Sequence, residues 1–248
     1  MSKTISLLFA MLAYAIFFAT FLYLVGFVAD LPQFPRTVNR GLGAPPAAAA
    51  LVDTALIALF GVQHSVMARQ GFKRGWTRIV PKQAERSVYV LVASLALMML
   101  FAFWHPIAGD VWRVEGLPAM VLWVLFALGW GMVLLSTFLI NHFELFGLQQ
   151  AWFHASGREA AAPEFRQPLF YRVVRHPLYL GFVLAFWATP HMTWGHLLLA
   201  FGMTAYILIA IRHEERDLVA LFGHEYEDYR GRVGMLVPGI GKSKGVRL

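Results

Sequence analysis

The 248-residue chain has no cysteine, and charge is scarce: Asp, Glu, Lys and Arg together make up 14% of it. Without cysteine there is no disulfide framework, thiolate metal site, iron–sulfur cluster or cysteine nucleophile. A globular domain carries about 25% charged residues, so this chain has too few to cover a surface facing water. A Gly-rich phosphate loop, a Walker or dinucleotide fingerprint, an HExxH zinc motif, a GxSxG elbow and an internal repeat are all missing as well. No metal site is therefore expected, and the nucleotide-fold and hydrolase classes lose their usual signatures.

What fills the space is apolar. Hydrophobic residues reach 58% and aromatics 15%, with a mean hydropathy of +0.59. Uncharged runs fall at roughly Ile5–Val28, Ala47–Met67, Val88–Trp104, Leu117–Ile140, Leu178–Thr189 and Trp194–Ile211, with Asp53 the one acid inside them. The first would extend about 36 Å at 1.5 Å per helical residue, enough for a hydrocarbon core of about 30 Å. The fifth is short and separated from the sixth by little more than His191-Met192-Thr193, which predicts a helical hairpin. The expected fold is all-α: a polytopic transmembrane bundle of five to six helices, the last two forming the hairpin. One membrane domain over 1–248 is expected, with a four-helix part at 1–140 and a ligand-binding part at 141–248.

The formal charge of +7 is explained by topology rather than by nucleic acid. Arg69, Lys73, Arg74, Arg78, Lys82 and Arg86 crowd between the second and third runs against Glu85, whereas the 105–116 loop sets Arg113 against Asp110 and Glu115. The first loop is expected inside and the second outside. Alternation then puts both termini, the 141–177 segment and the 212–248 tail in the cytoplasm, with the 29–46 loop and the 190–193 turn outside. The first run is too long for a signal-peptide core and is expected to remain as a helix.

Polar residues gather in three patches at the expected cytoplasmic helix ends. Gln63-His64-Ser65 leads to Arg69, Phe72-Lys73 and Glu85-Arg86-Ser87. His64 lies about a turn inside its helix, where an ionisable group usually faces a bundle interior or a site. As a plain structural residue it would instead bond a carbonyl or Ser65. The second patch, Asn141-His142-Phe143-Glu144-Leu145-Phe146-Gly147, reads equally as a polar exit cap with Gly147 as left-handed terminator. In the third, Tyr171-Arg172-Val173-Val174-Arg175-His176-Pro177-Leu178-Tyr179-Leu180-Gly181 enters the fifth helix, and Arg212-His213-Glu214-Glu215 follows the sixth. A hairpin returns these two segments to similar depth. Cations facing two carboxylates, with aromatic faces nearby, suit a zwitterion or a sulfonium, and they also suit salt-bridged helix ends.

Arg175-His176-Pro177-x-Tyr179-x-Gly181, with Glu214-Glu215-x-x-Leu218 and Phe222-Gly223-x-x-Tyr226-x-x-Tyr229, resembles the signature of the isoprenylcysteine carboxyl methyltransferase superfamily of integral membrane methyltransferases. The first two patches resemble the branch holding the methanethiol S-methyltransferase, NnrU and nurim proteins. The resemblance implies S-adenosylmethionine bound at the cytoplasmic face by Tyr171, Arg175, His176, Pro177, Tyr179 and Glu214, with Glu215 and Tyr226 beside them. It implies methylation of a small thiol, methanethiol to dimethyl sulfide, in a bacterial inner membrane, with membrane lipids as the other partners. Two departures stand out. Leu169-Phe170 occupies a place where the superfamily usually has a Gly, and Ala210 stands four residues before Glu214 where prenylcysteine enzymes have an Arg thought to hold the substrate carboxylate.

A thiol fits an apolar site, because transfer from sulfonium to thiolate cancels opposite charges on the way to the transition state. The thiolate is the nucleophile, and an apolar site disfavours it, so a base or cation is required. His64 and His142 are the candidate bases, with His64 preferred for its place on an apolar helix; Arg69, Arg86 and Arg175 are the candidate cations. Two other classes stand beside this: a membrane methyltransferase acting on an isoprenoid, lipid or isoprenylcysteine carboxylate, and a non-enzymatic protein of the nurim or NnrU kind.

Overall fold

The computed structural model describes residues 2–159 and 164–242. Its elements run α1 (Lys3–Val28), α2 (Pro46–Ala68), α3 (Gln70–Trp76), α4 (Lys82–Phe103), β1 (Asp110–Arg113), α5 (Gly116–Ile140), α6 (His142–Leu145), α7 (Leu148–Ser156), a 3-10 turn (Leu169–Arg172), α8 (Pro177–Trp187), β2 (His191–Thr193), α9 (Trp194–Phe222) and α10 (His224–Arg232). Among the described residues, five helices, α1, α2, α4, α5 and α9, are long and apolar enough to cross a membrane. The protein is an all-α integral membrane protein. At 11 residues α8 rises only about 16 Å, roughly half a hydrocarbon core.

Helix boundaries follow local chemistry. Proline occupies the first turn of α2 and of α8, where its missing N–H costs nothing. Two helices outrun the apolar segments that announce them. α4 begins at Lys82, so Glu85, Arg86 and Ser87 lie on its first turns. α9 continues past Ile211 to Phe222, and Gly223, with φ of 56°, ends it. Glu214 and Glu215 therefore sit on a rigid helix rather than in a tail.

The chain forms two compact units. The first comprises Met1–Glu115, His142–Ala161 and Pro190–Met203. Its loops are tied together at one end. β1 pairs antiparallel with β2, so the segment expected as a bare turn between α8 and α9 is a strand. Thr193 Oγ1 donates to Asn39 Oδ1 at 2.7 Å, and Trp104, fully buried, donates from Nε1 to the Val38 carbonyl at 3.0 Å. Asp53 is buried too: its Oδ1 accepts the His105 N–H at 2.9 Å, satisfying a backbone donor just past α4.

The second unit comprises Gly116–Asn141, Ala162–Thr189 and Thr204–Leu248. Here α5 and α8 touch backbone to backbone. A Cβ added at Gly129 would lie 2.8 Å from the Gly181 carbonyl oxygen, and one at Gly181 would lie 2.7 Å from that of Gly129. Small residues at such crossings are how membrane helices gain close packing without a hydrophobic driving force. Trp130 meets Phe182 and Phe186 edge-on beside this contact, and Trp187 Nε1 donates to Thr204 Oγ1 at 3.0 Å, joining α8 to α9 as the expected hairpin requires.

Candidate active site

The third patch assembles within the second unit around Glu215. The strip before α8 pairs with the strip after α10 through a parallel bridge between Val174 and Gly234, with the Arg175 N–H donating to the Gly234 carbonyl at 2.8 Å and the His176 N–H to that of Met235 at 3.2 Å. This presents two buried side chains to α9. Arg175 Nε donates to Glu215 Oε1 at 2.7 Å, and His176 Nε2 lies 3.1 Å from the same oxygen. Arg230 of α10 approaches Glu215 Oε2 at 3.2 Å. Three basic groups thus converge on one carboxylate. The other Arg175 nitrogens donate to the carbonyls of Arg230, Val233 and Gly241, so the guanidinium binds the chain leaving α10 on several sides.

Glu214 differs from its neighbour. It stands 4.0 Å from His176 Nδ1 and leaves 43% of its side chain exposed, so it remains available to an incoming cation. Tyr226 and Tyr229 are buried against Phe165, Leu218 and Phe222. The Tyr229 hydroxyl donates to the Tyr171 carbonyl, whereas the buried Tyr226 hydroxyl has no hydrogen-bond partner among the described residues. Burial pushes the Tyr171 and Tyr226 phenols well above their ordinary range and Tyr229 up to about 12, so all three are neutral donors at physiological pH. Tyr179 stands 5.7 Å from the His176 ring, centroid to centroid, and Pro177, in the first turn of α8, is buried. An exposed carboxylate, an orphaned phenol and aromatic faces form a donor set that fits the ammonium, hydroxyls and purine of S-adenosylmethionine.

The first two patches meet within the first unit. A cavity of about 200 Å³ is lined by Lys73 of α3, Lys82, Glu85 and Arg86 of α4, Glu144 of α6 and Gln150 of α7. Each candidate imidazole is paired with a tyrosine from another helix. His64 Nε2 lies 2.6 Å from the Tyr89 hydroxyl, and His142 Nε2 lies 2.8 Å from that of Tyr14. Burial lowers the proton affinity of His142 below the ordinary histidine value. Between the pairs, Phe17 stacks on Phe146 at 3.9 Å, and both pack against the cluster of Met67, Tyr89 and Val90. Gly147, with φ of 89°, is in the left-handed conformation expected of it, and a Cβ there would strike Ser87 Oγ at 2.5 Å. Arg69 folds back on its own helix end, donating to the Ser65 carbonyl at 3.0 Å.

A relative from Mycobacterium tuberculosis named methanethiol S-methyltransferase is 51% identical over 240 residues, covering 96% of this chain and 98% of its own. The chain belongs to the methanethiol S-methyltransferase family. Methanethiol S-methyltransferase 1 of Bradyrhizobium diazoefficiens is 52% identical over 238 residues, 95% of this chain and 83% of the relative. Human nurim is 30% identical over 175 residues, 67% of this chain and 66% of its own, which places the family beside the nurim-like proteins. No protein-family model matches the chain, and no solved structure does.

Within this family's chain, the two departures noted in the sequence are visible. Leu169 adopts φ of 40°, a left-handed conformation natural to Gly and costly for Leu. Ala210 is buried on α9 one turn before Glu214 and offers only a methyl group. Sequence reasoning missed Tyr14 and Tyr89 as partners of the two histidines, and Arg230 as a third cation on Glu215. Tyr89 carried a usable signal: it lies one turn beyond Arg86 on the helix that follows α2 and α3, and such short connections bring residues near helix ends to similar depth.

Proposed function

We propose that this protein methylates methanethiol to dimethyl sulfide with S-adenosylmethionine as donor, at the cytoplasmic face of a bacterial inner membrane, with both termini in the cytoplasm. The observation that carries the reading is identity of about one half, across nearly the whole chain, to proteins named for that reaction. The basic loop at 69–86 supports the orientation.

The roles divide between the clusters. Glu214 would hold the donor's ammonium, the Tyr226 hydroxyl would donate to one of its oxygens, and Tyr171 and Tyr179 would flank its rings. Arg175, His176 and Glu215, with Pro177 starting α8, hold these groups in place. The donor supplies a methyl group on a positively charged sulfur. His64 takes the thiol proton, with Arg86 as the nearby cation favouring the anion, while His142 and Arg69 serve as helix-end structure. The S–H bond is broken at His64, whose imidazole keeps the proton until solvent removes it; the thiolate would take the methyl group as the donor's sulfonium S–CH3 bond breaks, with S-adenosylhomocysteine leaving as a neutral thioether. Ala210 leaves a carboxylate substrate without an anchor, which favours an uncharged small thiol.

Headspace gas chromatography of the purified protein in detergent, given S-adenosylmethionine and methanethiol, tests this. Dimethyl sulfide is expected from wild type and not from Glu214→Ala. Donor binding without the sulfide would move the acceptor to an isoprenoid or lipid; absence of donor binding would favour a nurim-like scaffold.

A further inference from the structure

His64 packs against two rings. Phe60, four residues earlier on α2, stands 5.2 Å away, and Tyr89 of α4 stands 4.9 Å away on the same imidazole, centroid to centroid. The Tyr89 hydroxyl reaches Nε2 at 2.6 Å. Tyr89 is itself immobilised: it is 8% exposed, packs with Met67 and Val90, and has the Arg86 guanidinium 5.4 Å from its ring centre, three residues earlier on the same helix face. A buried phenol needs a hydrogen-bond partner, and a histidine's tautomer is set by the bond at its other nitrogen.

We propose that Tyr89 is the positioning residue of the thiol-activating His64, fixing the imidazole's orientation, with Arg86 holding the phenol ring in place. The proposal rests on the reading of His64 as the base. Tyr89 touches neither donor nor thiol in this account and acts through the imidazole. A phenol can donate to Nε2 or accept from it, so the hydrogen bond survives the proton's arrival and departure at His64. Arg86 thereby gains a second role beside that of a nearby cation: without it the phenol loses its charged cover on one face.

The test is a double-mutant cycle on the purified enzyme, with donor binding measured alongside turnover. Tyr89→Phe removes one hydroxyl and preserves the packed ring. Its kcat should fall roughly 3–10-fold, the value of one hydrogen bond, with donor affinity and KM for the donor unchanged. In a His64→Ala background the same substitution should cost nothing further, because the group it positions is gone. Unchanged kcat in Tyr89→Phe while His64→Ala is impaired would overturn the proposal and leave the base reading standing. So would an equal fold-loss from Tyr89→Phe in both backgrounds, which would mark a packing effect independent of His64. Wild-type kcat in His64→Ala would overturn the base reading and the proposal together.

Discussion

Replacing Glu215 with Gln keeps the side chain's size and removes the charge on which Arg175, His176 and Arg230 converge. The Arg175 side chain is 2% exposed and that of Glu215 10%, so the guanidinium would be left charged in a site that water does not reach. Breaking a buried pair by removing one partner costs about 3–5 kcal/mol. The lower end applies, because Arg175 keeps three carbonyl acceptors and the Gln amide oxygen can still take its Nε hydrogen bond. About 3 kcal/mol raises the population of the state with α10 released roughly 150-fold, at 1.4 kcal/mol per factor of ten. Limited trypsin digestion reads this directly, since Arg230 and Arg232 both lie in α10. When opening is fast relative to cleavage, the rate follows the open population. Cutting at those two sites should accelerate by about two orders of magnitude in Glu215→Gln, while cutting at Arg74 and Arg78 of the first unit stays as in wild type. Equal rates at Arg230 and Arg232 in both proteins would refute the idea that Glu215 fastens the tail.

Three further outcomes follow from the same structure. Gly181→Ala forces a methyl into the α5 backbone and should lower stability by about 1–3 kcal/mol, seen as a lower heat-unfolding midpoint in detergent; an unchanged midpoint would mean the helices are not in backbone contact. Tyr226→Phe removes a buried hydroxyl with no partner among the described residues, so the midpoint should hold or rise while affinity for S-adenosylmethionine falls roughly 3–10-fold; loss of stability with intact affinity would reverse that assignment. Burial holds His142 below its ordinary value of 6.5, so the unfolded chain binds more protons than the folded one as pH falls below about 6.5. Stability from the neutral imidazole is full above that pH and lost below it, and His142→Gln should flatten the acid side of the unfolding profile; an equally steep decline in the variant would exclude His142 as its source.

The membrane-crossing helices were legible because the hydrocarbon core demands long uncharged runs, and few other signals compete with that one. Their ends were not, because helix propensity carries through charged residues: Lys82-Gln83-Ala84-Glu85-Arg86 and, beside His213, Arg212, Glu214 and Glu215 are good helix formers that hydropathy scores as loop. Strands of four and three residues, β1 and β2, leave no periodicity to detect. At the candidate site, the meeting of Arg175 and His176 with Glu215 followed from the hairpin. The carbonyls of Arg230, Val233 and Gly241 could not be foreseen, because every residue has one and only the tail's path selects these three. The Tyr–His pairs were hidden for a different reason: Tyr14 and Tyr89 read as ordinary aromatics in apolar helices until their hydroxyls are seen on Nε2 of His142 and His64.

The most direct test of the central claim follows the methyl group itself. Purified protein in detergent is given methanethiol and S-adenosylmethionine deuterated in its sulfonium methyl, and the headspace is read by mass spectrometry. Methyl transfer predicts dimethyl sulfide carrying the label in one of its two methyl groups, released in step with S-adenosylhomocysteine and absent in Glu214→Ala. Dimethyl sulfide without label, or S-adenosylhomocysteine without the sulfide, would contradict it.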